Sequence, residues 1–145
     1  MKNRNREKKM TSSDSGVSLG IAAHLEEGER LSEEGKLEQA EIIFREVMDS
    51  HPDNSRARNN LACVLWQTRR HEEALQLLYK AIQLDPDNID AAWNLGQILK
   101  AMGREQEACS VYQDYLKKHP EEVELIDEMR AWQSDNKGTP DGSSP

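Results

Sequence analysis

The side chains best suited to chemistry in this sequence are amides, indoles and carboxylates that share one helical face in each of three stretches. At 100° per residue, Glu26, Glu29 and Glu33 fall in line with Ala22, Leu25 and Ser32. Arg56, Asn59, Asn60, Cys63, Trp66 and Gln67 form a second such line, and Asp90, Trp93, Asn94, Gln97, Lys100 and Ala101 a third. A carboxamide both donates and accepts hydrogen bonds, so Asn59, Asn60, Asn94 and Gln97 suit the backbone of an extended peptide whatever its sequence. Indoles supply the rigid apolar area that dominates many interfaces. Trp93 is expected on this face, whereas Trp66 fits the face and a core seam equally. Glu26, Glu29 and Glu33, at i, i+3 and i+7, either favour a ligand with a basic or amine-bearing end or make a solvated charged face.

Catalytic constellations do not emerge. His24, His51, His71 and His119 are scattered, and His51 and His119 each precede a proline, a positional role. Arg70-His71-Glu72-Glu73-Ala74 begins like a zinc helix, but no second histidine follows at the required place. No glycine-rich phosphate loop and no nucleophile with a spaced base is present. Cys63 and Cys109 lack metal-ligand spacing and are expected as reduced, half-buried thiols. The expectation is a non-enzyme without metal or cofactor.

These faces need elements to position them, and the elements repeat. Ala62, Ala74 and Pro86 have counterparts 34 residues earlier in Gly28, Ala40 and Pro52, and 34 later in Gly96, Ala108 and Pro120. Leu31, Leu65 and Leu99 make a further row, as do Phe44, Leu78 and Tyr112. A repeat of this length is the mark of stacked helical units. Units of 21–54, 55–88 and 89–122 each hold two amphipathic helices. The first buries positions 4, 8 and 11 of its unit, with position 7 added in the later units, and the second positions 20, 24 and 27, with small residues at 8 and 20 allowing close approach. Gly35 and Gly103 end first helices in a left-handed conformation, with Arg69 in the corresponding place of the middle unit. Asp53 and Asn54, and again Asp87 and Asn88, lie where helix caps belong. A leader over 1–18 is too polar to fold, with Ser18 as an N-cap. A capping helix spans 123–132 and a polar tail 134–145, leaving 19–133 as the folded domain.

The chain of 145 residues carries 32% charged and 36% hydrophobic residues, a polar balance that fits an elongated array better than a thick core. Net charge is -8, unevenly spread: residues 1–18 hold five basic and two acidic side chains, residues 19–133 hold 13 and 23. An acidic body disfavours nucleic acid. The longest apolar run, Leu61–Trp66, is far short of a membrane span, and the N-terminal charges precede no apolar stretch. A cytoplasmic protein is expected.

The three units resemble tetratricopeptide repeats. Unit three reads Ala92-x2-Leu95-Gly96-x2-Leu99, Ala108-x3-Tyr112, Pro120; unit two reads Arg58-x2-Leu61-Ala62-x2-Leu65, Ala74-x3-Leu78, Pro86. Unit one departs most, with His24 and Glu27 where an aromatic and a leucine are usual. The resemblance implies an all-α, right-handed superhelical solenoid of three antiparallel helix pairs plus a C-terminal capping helix. It also implies that first helices line a concave groove, lined here by Glu26, Glu29, Glu33, Arg56, Asn59, Asn60, Cys63, Gln67, Trp93, Asn94, Gln97 and Lys100. The expected partner is a peptide segment of another protein, with a basic end near unit one. Monomers or weak homo-oligomers are expected, and the rival readings are a chaperone of secretion substrates and a self-assembling scaffold. Some family members clamp a chaperone's C-terminal carboxylate with cations and asparagines. The matching positions here are Leu25, Glu29, Asn60, Asp90 and Asn94, and the acids among them would repel a carboxylate.

Overall fold

Thirty-four-residue spacing becomes three stacked helix pairs. The computed structural model describes residues 15–137, and the segments 1–14 and 138–145 lie outside the described residues. Among the described residues the chain is all helix and turn: α1 Ser15–Glu33, α2 Leu37–Ser50, α3 Ser55–Gln67, α4 His71–Leu84, α5 Ile89–Ala101, α6 Glu105–Lys118 and α7 Val123–Lys137. α1 pairs with α2, α3 with α4 and α5 with α6; α2 then packs on α3, α4 on α5, and α7 on α6. Two boundaries differ from expectation. α1 starts at Ser15, so Ser18 lies inside the helix and does not cap it. α7 continues to Lys137, taking in residues expected in the polar tail.

The turns obey one local rule. Gly35 and Gly103 have φ of +79° and +77°, and Arg69 holds the same left-handed conformation at +66°. In each turn the amide three residues past the helix bonds back five positions: Lys36 to Leu31, Arg70 to Leu65 and Arg104 to Leu99, all at 2.8 Å. This closing motif satisfies carbonyls the helix end would otherwise leave bare. At the opposite turns Asn54 Oδ1 accepts from Ala57 N at 2.8 Å and Asn88 Oδ1 from Ala91 N at 3.1 Å. Asn88 also donates to Ser55 Oγ, which donates to the Ala81 carbonyl, so a cap of unit three is tied to unit two.

Within a pair, the small residue at position 8 receives the large one at position 24. A Cβ on Gly28 would lie 2.5 Å from the Phe44 ring, and one on Gly96 would run into the Tyr112 ring. Unit two solves the same problem with Ala62 and Leu78, both fully buried. The large residues at 24 therefore fill space inside their own pair.

The seam between units is made by another stripe. Positions 3 and 10 of the first helices, Ala57 and Val64, then Ala91 and Ile98, are buried. α7 repeats this with Leu125 and Trp132, each 34 residues after its counterpart, and so occupies the seat of a fourth first helix. In α1, the first of the described helices, the same positions are the exposed Ala23 and Arg30. Arg30 is held by Glu27 and Glu34. On its far side α7 exposes Arg130, at the position where Gly28 and Gly96 admit a second helix. Among the described residues, both ends of the stack therefore present charge outward.

Candidate functional site

The faces singled out by residue chemistry come together along α1, α3 and α5, but several of their members are internal. Asn59, Asn60 and Asn94 are buried, as are Glu29 and Trp93 at 8% exposure each. A first helix is flanked by its own partner and by the first helices before and after it. Its free arc is therefore narrower than that of a helix lying on a flat core, and positions 5 and 6 turn inward.

Their polar atoms form a ladder from unit to unit. Glu29 Oε1 accepts from Asn60 Nδ2 at 2.7 Å, and its two oxygens take a forked pair from Arg56 at 2.9 and 2.8 Å. One repeat further, Asn94 Nδ2 donates to Asn59 Oδ1 at 3.0 Å and to Cys63 Sγ at 3.4 Å. The next rung reaches α7: Gln97 Nε2 donates to Glu128 Oε1 at 2.8 Å, and Trp132 Nε1 donates to the same oxygen at 2.9 Å. Position 9 of each first helix thus meets position 6 of the next, 31 residues on. The amides read as groove donors for a peptide backbone are bonded to neighbouring repeats. Asn94 Oδ1 is a buried acceptor without a protein partner among the described residues.

The third unit's contribution is similarly committed. Gln97 also donates to Tyr112 Oη, and Tyr112 donates to the Trp93 carbonyl. Trp93 stacks on Tyr112, which stacks on Trp132 at 4.9 Å between centroids, and Lys100 Nζ stands 5.0 Å from the Trp132 ring centre. Burial pushes the Tyr112 hydroxyl well above its usual range, and pushes the Cys63 thiol up to about 12. Cys63 is a half-buried thiol whose sulfur accepts from Asn94. Trp66 is half-buried with its ring tilted 4.1 Å from His71.

What stays open is the cleft between α1 and α3. A pocket of about 470 Å³ lies there, lined by Glu29, Ser32, Glu33, Phe44, Asn60, Cys63 and Gln67. Five of the twelve expected groove residues meet in it: Glu29, Glu33, Asn60, Cys63 and Gln67. Glu26 sits on the same face of α1, outside the pocket lining. Glu26 and Glu33 are exposed and bond to no other described residue. Arg56, Asn59, Trp93, Asn94, Gln97 and Lys100 belong to the ladder and to the α7 contact. Sequence reasoning missed Phe44 in the pocket lining and the part played by Glu128 and Trp132. A fourth step of 34 would have found the latter two, since they follow Asn94 and Ile98 at that interval.

A second charged assembly joins α2 to the α3–α4 turn and α4. Arg45 bonds Glu41 at 2.9 Å and Glu73 at 2.8 Å; Arg70 bonds Glu41 at 2.8 Å and Glu73 at 2.8 Å. The Arg45 hydrogen bond, then that of Arg70, holds the Glu73 carboxyl below its ordinary range. For Glu41, burial opposes ionisation, and the two arginines overcome it. Among the described residues no group of three or more His, Cys, Asp or Glu is placed to hold a metal ion. None of their helices is long and apolar enough to cross a membrane.

Comparison with known proteins agrees with this architecture. Two family models, each described as tetratricopeptide repeat, match residues 25–89 and 65–132. The first TPR domain of Spaghetti (RPAP3), solved with the HSP90 peptide SRMEEVD, superposes with TM-score 0.71 at 21% identity over 81% of this chain and 95% of that one. Its second TPR domain, with the same peptide, gives 0.60 at 23% identity over 66% and 89%. A mutant O-GlcNAc transferase of Thermobaculum terrenum gives 0.67 at 25% identity, over 83% of this chain and only 22% of that enzyme. No curated protein matches. With the repeat period, the closing turns, the paired helices and both family models in agreement, the chain belongs to the tetratricopeptide repeat family.

Proposed function

We propose that this chain is a protein-interaction module whose groove holds a segment of a partner protein, with a basic end of that segment over the first repeat. The observation that carries the reading is the pocket between α1 and α3, whose size of about 470 Å³ falls in the range of ligand sites. Its polar groups that bond to no other described residue are the Glu33 carboxylate, the Ser32 hydroxyl and the Gln67 amide, with Glu26 on the same face. The solved Spaghetti domains hold the acidic peptide SRMEEVD. In this chain the clamp positions carry a buried Leu25 and the acids Glu29 and Asp90, while Asn60 and Asn94 are bonded into the ladder. An acidic tail meets like charge here, and a basic segment meets opposite charge.

Fluorescence anisotropy with labelled SRMEEVD and an amidated counterpart bearing lysines in place of its acids tests the reading. The basic peptide is expected to bind and the acidic one not. Replacing Glu26 and Glu33 together by Gln is expected to weaken the basic peptide about threefold to tenfold, the scale of two exposed charge pairs. Equal binding of both peptides, or no effect of the double variant, would overturn it. Asn60 and Asn94 are poor choices for this test because they hold repeats together.

A further inference from the structure

We propose that the pocket between α1 and α3 is a seat for one large aromatic side chain of the partner segment, an indole by preference. The inference rests on the groove reading above and names the residue that anchors the segment.

Each first helix meets its successor through one stripe. Positions 5, 9 and 12 of a unit fall within an arc of about 60° at the helical period. Their contacts turn them toward the next first helix: Glu29 bonds Asn60, Asn59 and Cys63 bond Asn94, Gln97 bonds Glu128, and Lys100 stands over Trp132. In unit two the stripe is Asn59, Cys63 and Trp66, and in unit three Trp93, Gln97 and Lys100. Each of these two stripes carries an indole from the chain itself. Trp93 is buried, and Trp66 packs half-buried against the core with its ring beside His71. In unit one the stripe is Leu25, Glu29 and Ser32, with no aromatic ring.

The pocket of about 470 Å³ opens at that place, and its α1 wall is Glu29, Ser32 and Glu33. Ser32 stands 34 residues before Trp66. Its hydroxymethyl group leaves unfilled the space that a tryptophan ring takes one repeat later. The lining also suits an indole better than an aliphatic side chain. Phe44 offers ring area and Cys63 a polarizable sulfur. The Ser32 hydroxyl and the Gln67 amide, neither bonded to another described residue, offer acceptors for an indole N–H. On α7 the chain makes a bond of this kind itself, where Trp132 Nε1 donates to Glu128 at 2.9 Å. An aliphatic side chain would leave those acceptors facing carbon, which costs free energy wherever water is excluded. The exposed Glu33 carboxylate at the mouth is left to pair with the segment's basic residue.

The test uses the amidated lysine peptide in two forms, with Trp or with Ala in place of its Met, read by fluorescence anisotropy. The Trp form is expected to bind about tenfold more tightly or better, the scale of an interface hot spot. Ser32→Trp supplies the ring from α1 and is expected to abolish that difference; Ser32→Leu, with less bulk, is expected to reduce it. A second arm needs no peptide. N-acetyltryptophanamide titrated into the full ¹⁵N-labelled chain is expected to shift the amides of Ser32, Glu33, Cys63 and Gln67, and N-acetylleucinamide to leave them in place. Equal affinity of the Trp and Ala peptides, a difference that survives Ser32→Trp, or tryptophanamide shifts confined to other residues would overturn the proposal. Equal but measurable binding of both peptides refutes the aromatic seat and leaves the groove reading standing. Failure of both peptides, with the tryptophanamide shifts intact, refutes the basic segment and supports the seat.

Discussion

Glu29 and Glu33 lie four residues apart on α1 and both line the pocket, yet their surroundings are opposite. Glu29 is buried and accepts three hydrogen bonds from the next repeat; Glu33 is exposed and bonds to no described residue. Glu29→Ala removes the forked pair to Arg56 and leaves the buried Asn60 Nδ2 without an acceptor. The orphaned amide costs about 1–3 kcal/mol, and a charge-assisted bond about 1.5–3 kcal/mol. The Arg56 side chain is 37% exposed and can re-solvate, so its share belongs at the low end. The expected loss is about 2–4 kcal/mol. At roughly 4 °C per kcal/mol for a domain of this size, Tm falls by about 8–16 °C. Glu33→Ala is expected to leave Tm within about 2 °C of wild type while weakening the basic peptide. Far-UV circular dichroism melts, with urea titrations to check that the m-value is unchanged, read both. A Glu29→Ala protein as stable as wild type, or a Glu33→Ala protein as damaged as Glu29→Ala, would refute the division into a carboxylate that builds the groove and one that serves it.

Other outcomes follow from the same geometry. Arg69→Gly relieves a left-handed non-glycine residue that the other two turns avoid, and is expected to stabilise by about 0.5–1 kcal/mol in urea titrations once the added chain entropy is subtracted. Gly96→Ala drives a methyl group into the Tyr112 ring and is expected to cost about 1–3 kcal/mol in the same assay, with loss of near-ultraviolet dichroism from the stacked rings. Because the Glu41 and Glu73 carboxyls are held low by Arg45 and Arg70, their stabilisation is complete above the ordinary carboxylate pKa and is lost as pH falls through the folded values. The urea midpoint should therefore drop between about pH 5 and pH 3, less steeply in Glu73→Gln. The Cys63 thiol, pushed up to about 12 by burial, is expected to react with a disulfide reagent at pH 8 far more slowly in the native chain than in urea, measured in a Cys109→Ser background.

Local rules account for what was legible beforehand. Helix starts at Asn54 and Asn88, helix ends before Gly35 and Gly103, and close approach at Gly28 and Gly96 each depend on a residue's own backbone freedom or a capping bond three residues away. Such features repeat with the sequence. The fate of Asn59, Asn60 and Asn94 was not legible, because their bonding partners lie 31 to 35 residues away on another helix. An amide on a helical wheel looks the same whether it faces water or a neighbouring repeat.

The sequence by itself therefore determined the period, the helix pairs and the turns, since these arise from contacts inside one repeat. Only the tertiary structure decided which face stays free. Stacking the repeats puts positions 3 and 10 into the seams, turns positions 5 and 6 into a ladder, and seats α7 on the third unit through Leu125, Glu128 and Trp132. Among the described residues the cleft lined by Glu33 and Gln67 stays open. The physical reason is that burial of a first-helix side chain depends on the angle at which the next repeat docks, a sum over contacts between units that no single repeat contains.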